Sequence, residues 1–323
     1  MEGLLERPKV CGACGRGGAA KRCQCKTIYF CNEECQRAKW GEHKEVCSVV
    51  QRRKVERERE RLGRDHPGVG EACNKVGNLL HDQEDLSGAE EHYLEALRII
   101  RLVEGEWSPN VAGLSANLGR VYRGLGRLDD AVRMHRQALR VYRRVWGDEH
   151  ADVAFALNSL GCALRRKGQL DRAMEKLEEA HEMYVGLYGD DHADVAKVLT
   201  NMALTLQDKG LFGDALAMQE KELGILRRTL GPDDEGIAIS LHNLGISYKG
   251  QGLLDEARAR CEEGLGIVRR IHAGKNSLEG KFLQSIGDVC DDQGSPDDAL
   301  RMYKEARRIY RKTVGPESVE MGK

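Results

Sequence analysis

Residues 111–142 read VAGLSANLGRVYRGLGRLDDAVRMHRQALRVY, and this stretch decides the fold. Leu114, Leu118, Val121, Tyr122 and Leu125 recur at three- and four-residue steps, the spacing of one face of an α-helix. Gly126-Arg127 ends that helix, because glycine tolerates the left-handed conformation of a helix terminus. Asp129 and Asp130 open a second helix, where carboxylates complement the exposed amides and the dipole. Its inward face is expected to be Ala131, Met134, Ala138, Leu139, Tyr142 and Val145. Two helices and a tight turn make one hairpin.

The hairpin recurs with a step of 42 residues. Gly77, Gly119, Gly161, Gly245 and Gly287 form the rungs of a ladder, and Ala203 fills the missing one. Twelve residues beyond each rung stands Ala89, Ala131, Ala173, Ala215, Ala257 or Ala299. Seven beyond it comes Gly126, Gly168, Gly210, Gly252 or Gly294, with Glu84 the exception. A glycine inside a helix costs about 1 kcal/mol, so the rungs need a packing reason, and close approach of a neighbouring helix supplies one. A repeat of this period is the signature of a stacked array, each unit burying its surface against its neighbours.

A small rung, an aromatic or aliphatic residue three later, a glycine at the turn and alanine in the second helix resemble the tetratricopeptide repeat. The long step is similar to that of kinesin light chains, as in LHNLGISYKGQGLLDEA at residues 241–257. The resemblance covers roughly residues 64–314. It implies an all-α solenoid, a right-handed superhelix of six helical hairpins whose first helices line a binding groove. Where repeats meet, GRDHP, GDEHADVA, GDDHADVA and GPDDEGIA recur. Asp148 with His150 and Asp190 with His192 could suggest metal, but His, Asp, Ser108 and Asn276 here are expected to cap the helix that follows.

Composition agrees with an elongated array. Four Phe and three Trp are few for one large globular core, and 32% charged residues sum to a formal charge of −1. Charges so balanced give no general electrostatic case for nucleic acid or membrane. No stretch nears the ~18 apolar residues of a membrane span. The opening MEGLLERPKV lacks a secretory signal, so an intracellular location, cytoplasm or nucleus, is expected. Thiols stay reduced there, and eleven cysteines call for metal before disulfides.

Seven of those cysteines fall in CGACGRGGAAKRCQCKTIYFCNEECQRAKWGEHKEVC, residues 11–47. With His43 they make eight candidate ligands: Cys11, Cys14, Cys23, Cys25, Cys31, Cys35, His43 and Cys47. Thiolates and imidazole suit tetrahedral zinc, and eight ligands make two closed, structural sites. A segment this short cannot bury enough surface to fold unaided, and roughly 10–16 kcal/mol per structural zinc offsets that deficit. The outlying Cys73, Cys162, Cys261 and Cys290 read as small apolar fillers.

The spacing after Cys25, with Tyr29-Phe30, Gln36 and Trp40, resembles the MYND-type zinc finger. The resemblance implies interleaved sites: Cys11, Cys14, Cys31 and Cys35 on one zinc, Cys23, Cys25, His43 and Cys47 on the other. Such fingers dock proline-containing peptides, and Gln36 and Trp40 match the contacting positions. An exposed Trp suits proline rings, because an extended peptide loses little entropy on docking. One departure is that only Gln24 separates Cys23 from Cys25, where the family has two residues. The domains expected are the finger at 11–47, a charged helical linker at 48–64, six repeats at 65–314 and a tail at 315–323. The linker's basic excess also admits a nucleic-acid contact, and it falls in phase with the second helix of an upstream half-repeat.

In the arrays this resembles, positions around the rung face the groove. Two before it stand Asn117, Asn201 and Asn243, whose amides suit an extended main chain or a bridge between hairpins. One and four after it stand Arg120, Arg123 and Arg165, against Asp288, Asp291 and Asp292 in the sixth repeat. An acidic peptide segment is expected on the basic half, and self-association is possible in principle for an array with an uncapped end. No phosphate loop, nucleophile elbow or open metal site appears, and no residues remain for a methyltransferase domain. The expected function is a non-enzymatic interaction scaffold, with a kinesin-light-chain-type cargo adaptor or a nuclear co-regulator as alternatives.

Overall fold

The computed structural model describes residues 21–22, 29–30, 48–272 and 276–313. Strands β1 (Lys21–Arg22) and β2 (Tyr29–Phe30) pair antiparallel, with Lys21 opposite Phe30 and Arg22 opposite Tyr29. The chain divides into two compact units, residues 1–167 and 168–323.

The first unit holds α1 (Ser48–Leu62), α2 (Pro67–Asp82), α3 (Leu86–Glu104), α4 (Pro109–Gly124), α5 (Leu128–Trp146) and α6 (Ala151–Arg166). The second holds α7 (Leu170–Tyr188), α8 (Ala193–Asp208), α9 (Phe212–Thr229), α10 (Glu235–Gly250), α11 (Leu254–Ile271), α12 (Ser277–Asp292) and α13 (Pro296–Thr313). The division falls inside the third repeat, whose first helix is α6 and whose second is α7. Within each unit, helices adjacent in sequence pack as antiparallel hairpins, α2 on α3 and α4 on α5 in the first, α8 on α9, α10 on α11 and α12 on α13 in the second.

Local chemistry sets the helix ends. His66, Ser108, His150, His192, Asp234 and Asn276, spaced by the repeat, each accept a backbone N–H of the helix they precede. His150 Nδ1 lies 3.1 Å from the Asp152 amide and His192 Nδ1 3.2 Å from that of Asp194. These side chains satisfy orphan donors, the capping role expected of them. The turn inside each hairpin needs a positive φ, supplied by Gly126, Gly168, Gly210, Gly252 and Gly294. At the matching place in the first repeat, Glu84 adopts φ 61°.

The rungs receive a side chain from the second helix of their own hairpin, sixteen residues on. A Cβ at Gly77 would stand 2.7 Å from the Tyr93 ring, at Gly119 2.6 Å from His135, at Gly245 2.5 Å from Cys261 Sγ and at Gly287 2.6 Å from Tyr303. Glycine here lets two helices close on a bulky group. At Ala203 the residue sixteen on is Gln219, a linear side chain where Gly77, Gly119 and Gly287 meet rings.

Two details differ from the periodicity. Met134 and Val145 are half-buried rather than core, whereas His135 is fully buried, because it fills the niche above Gly119. Leu125 is exposed at the turn, where the chain has already left the packed face. The segment expected as a linker is α1, and it packs against α2. Val55 is buried, Arg52 reaches Asp85 at 3.3 Å and Arg59 reaches Glu95 at 3.4 Å. Gly63 ends it with φ 91°, as Gly105 ends α3 with φ 84°, so α1 stands as the second helix of an upstream half-repeat.

Candidate functional site

The first helices of the first unit, α2, α4 and α6, carry the groove positions read from the sequence. The Asn117 amide lies 3.5 Å from Asn74 Oδ1, so α2 and α4 set two carboxamides against each other. Arg120 is exposed and Arg123 half-buried on α4, and Arg165 is half-buried on α6. Neither Arg120 nor Arg123 meets a carboxylate within ion-pair distance among the described residues. Arg123 hydrogen-bonds the Cys162 thiol, whose pKa burial nonetheless raises.

Behind these arginines lies His135, with no hydrogen-bond partner for either ring nitrogen among the described residues. Burial, and then the charges of Arg123 and Arg120, push its pKa down to about 3. The imidazole therefore stays neutral and acts as packing, leaving the positive field to the guanidinium groups. The helix α5 and the residue before it differ: Arg127 pairs with Glu90 at 2.7 Å, Arg133 with Asp130 at 2.6 Å, and Arg144 lies 4.1 Å over the Trp107 ring.

In the second unit the corresponding positions are knitted together. Gln207 Nε2 donates to the Asn243 carbonyl at 3.0 Å and to Ser247 Oγ at 2.8 Å, joining α8 to α10. His242 Nε2 lies 2.9 Å from Ser285 Oγ, joining α10 to α12. Asn201 and Asn243 are both half-buried. Asp288 accepts from the Tyr303 hydroxyl at 2.8 Å and Asp292 pairs with Lys249 at 3.2 Å. Two of the three acidic groups of the sixth repeat are thus already engaged.

All eight expected zinc ligands, with Gln36 and Trp40, lie outside the described residues. The donor set itself, seven thiols and one imidazole, fits structural zinc. Among the described residues no group of three or more His, Cys, Asp or Glu could hold a metal, and Cys73, Cys162, Cys261 and Cys290 are buried free thiols. No described helix is long and apolar enough to cross a membrane.

Three features had no periodic signal. His135, set over Gly119, was not among the inward residues that the periodicity picks out. Glu222 lies 4% exposed on α9, and burial, against a hydrogen bond with Thr200, pushes its pKa up to about 7. A cavity between α2, α4 and α6 draws its walls from helices distant in sequence.

Comparison with known proteins follows the two-part organisation. Models of the tetratricopeptide repeat match residues 69–110 and then 110–184, 163–228, 194–259 and 237–312, and the MYND finger model matches residues 11–47. Dauer abnormal formation protein 25 of Caenorhabditis elegans is 51% identical over 46 residues, 14% of this chain and 12% of its own length. Tudor domain-containing protein 1 of Mus musculus is 40% identical over 45 residues, 14% of this chain and 4% of its own length. The chain thus spans only a small fraction of these curated relatives. Among solved structures, BtubC (BKLC) from P. vanneervenii superposes with a TM-score of 0.59 at 23% identity, over 73% of this chain and 93% of that one. A putative kinesin light chain of Podosopora anserina with nearly identical TPR-like repeats gives 0.57 at 20% identity, over 63% and 96%. At these identities the likeness is one of fold. With repeat models matching well over half its length, the chain belongs to the tetratricopeptide repeat family and carries a MYND finger ahead of its repeats.

Proposed function

We propose that the chain is a two-site adaptor, its finger holding one peptide and the first helices of its repeats a second. The combination of a MYND finger with tetratricopeptide repeats supports a protein–protein interaction scaffold. In this reading Gln36 and Trp40 meet a proline-containing segment, on a finger held by two structural zinc ions. Cys11, Cys14, Cys31 and Cys35 hold one ion, and Cys23, Cys25, His43 and Cys47 the other. Zinc here supplies folding energy rather than chemistry, and no catalytic role is assigned to any residue.

The observation that carries the second site is the pair Arg120 and Arg123, left without a carboxylate on the face that also presents Asn117. An acidic peptide segment would supply the missing charge, with Asn117, and in the second unit Asn201 and Asn243, bonding its main chain. Arg165 extends the basic edge onto α6. Charge sets encounter rate and orientation more than final affinity, so the effect should be strongest at low salt. The basic helix α1 offers less to nucleic acid, because Arg52, Arg59 and Arg61 already pair with Asp85, Glu95 and Glu58.

The test is fluorescence anisotropy with a labelled glutamate-rich peptide, against a glutamine-rich control, on the full chain. Binding should disappear when Arg120, Arg123 and Arg165 are all changed to Glu while the helical circular dichroism is retained. Undiminished binding by that variant would refute the assignment.

A further inference from the structure

Beside the arginines, the same face of the first unit holds a cavity of 400 Å³ whose charge is opposite. Glu71 from α2, Glu104 from the end of α3 and Asp152 from the first turn of α6 stand on its wall, and no lysine, arginine or histidine lines it. Glu71 has no ion pair among the described residues. Glu104 accepts from the side chains of Ser108 and Asn110. Asp152 lies 3.6 Å from His150 Nδ1, a ring that is already accepting the Asp152 amide as a cap.

A second observation is independent of the carboxylates. Tyr142 on α5 is 7% exposed, lines this cavity and finds no hydrogen-bond partner among the described residues. Other buried tyrosines are satisfied: Tyr93 donates to Asn78 at 2.7 Å and Tyr310 to Gln284 at 3.5 Å. The Tyr142 hydroxyl instead faces the space over Gly113, 3.7 Å from where a Cβ there would stand. The Tyr142 ring is buried while its hydroxyl opens onto the cavity, where a ligand can supply the partner that the described residues do not.

The cavity exists because residue 113 is glycine. At the same place in the other repeats stand Glu71, Phe155, Lys197, Ile239 and Lys281, each with a side chain where residue 113 has none. Leu114 and Ile100 give the floor an aliphatic surface.

We propose that this cavity binds the side chain of an arginine on a peptide of a partner protein. Three carboxylates from three helices ask for a cation with several donors set apart in space. A guanidinium provides them in a planar fork, whereas an ammonium is a point charge. The hydroxyl of Tyr142 accepts one further N–H, and the arginine stem lies on Leu114 and Ile100. This deepens the adaptor reading: the peptide on the first unit is bipolar, with acidic residues against Arg120 and Arg123 and a basic one in the cavity. Peptides carrying acid alone would leave the carboxylates uncompensated.

The test uses N-acetyl-arginine amide and its uncharged isostere N-acetyl-citrulline amide, each titrated into the isotopically labelled full chain and followed by NMR. The arginine probe should shift the Gly113 and Asn117 amides saturably, and the citrulline probe should not. Affinity should fall by about tenfold or more in Glu71→Gln/Asp152→Asn, as expected when a charge pair loses one partner. Gly113→Leu should abolish the response, and it is free to fold because its Cβ meets nothing closer than 3.7 Å. Equal response to both probes, no response at Gly113, or a response that survives Gly113→Leu would each overturn the proposal. This titration is independent of the glutamate-rich peptide, so failure of that peptide to bind would count against the basic edge and not against the cavity.

Discussion

Changing Glu222 to Gln should make the second unit more stable, and chiefly at neutral to alkaline pH. Glu222 occupies the position that Ala96, Ala138, Ala180, Gly264 and Ala306 hold in the other repeats. Its Oε2 has no hydrogen-bond partner among the described residues, and neither does the buried hydroxyl of Ser240 on the neighbouring α10. Only burial and the Thr200 hydrogen bond act on its pKa, so no charged group of α8, α9 or α10 compensates the carboxylate. Raising the pKa from an ordinary 4.5 to about 7 makes ionisation in the folded state cost about 3 kcal/mol more than in the unfolded chain. Below pH 4.5 the group is protonated in both states and the cost is absent. As pH rises through about 7, the folded state must ionise too, and that stability is lost. The isosteric amide keeps the volume and removes the titration. At pH 8 the variant's melting transition should lie about 6–12 °C above that of the unsubstituted chain, taking 2–4 °C per kcal/mol for a unit of this size. At pH 5 the gap should shrink to about 2–3 °C. Calorimetry at both pH values reads the difference directly. A gap that is the same at pH 5 and pH 8, or a variant less stable at pH 8, would refute the reasoning.

Three further outcomes follow from the same packing rules. Glu84→Gly should stabilise the first unit by about 0.5–1 kcal/mol in denaturant unfolding, because a side chain at φ 61° is strained where the other turns use glycine. Gly119→Ala should destabilise it by roughly 2–3 kcal/mol, since the new Cβ would press on His135; adding His135→Gln should recover much of that loss in a double-mutant cycle, as Ala203 with Gln219 already pairs those residue types. Metal analysis should find two zinc per chain, and chelation should leave most of the helical signal intact, because α1 to α13 make no use of the eight ligands.

The architecture was legible because its signals are local and repeated. A glycine rung, an alanine twelve residues on and a capping residue at each repeat boundary all fall at fixed offsets, and helix start, turn and close approach each demand a particular residue type. The reason for the rungs was legible only in outline. That His135 would lie above Gly119 depends on a neighbour in three dimensions, and a histidine beside four arginines in HRQALRVYRR reads more naturally as surface. Glu222 was hidden for the same reason: QEKEL has the look of a solvated face, and only the register against Ala96 and Ala138 exposes it as an intruder in the core. The arginine-accepting cavity is assembled from five helices, and its defining residue is an absent side chain at Gly113. The charged stretch before the first repeat carried two readings, and its place against α2 follows from Val55, one apolar residue in a basic run.

The account stands or falls on where a peptide touches the array. A glutamate-rich peptide bearing a photo-crosslinking phenylalanine analogue, irradiated with the full chain and mapped by mass spectrometry, locates the contact. Adducts should concentrate within residues 109–124 and 151–166, the helices that carry Arg120, Arg123 and Arg165. Adducts confined to the outer helices at 86–104 and 128–146, or spread evenly along the chain, would contradict it.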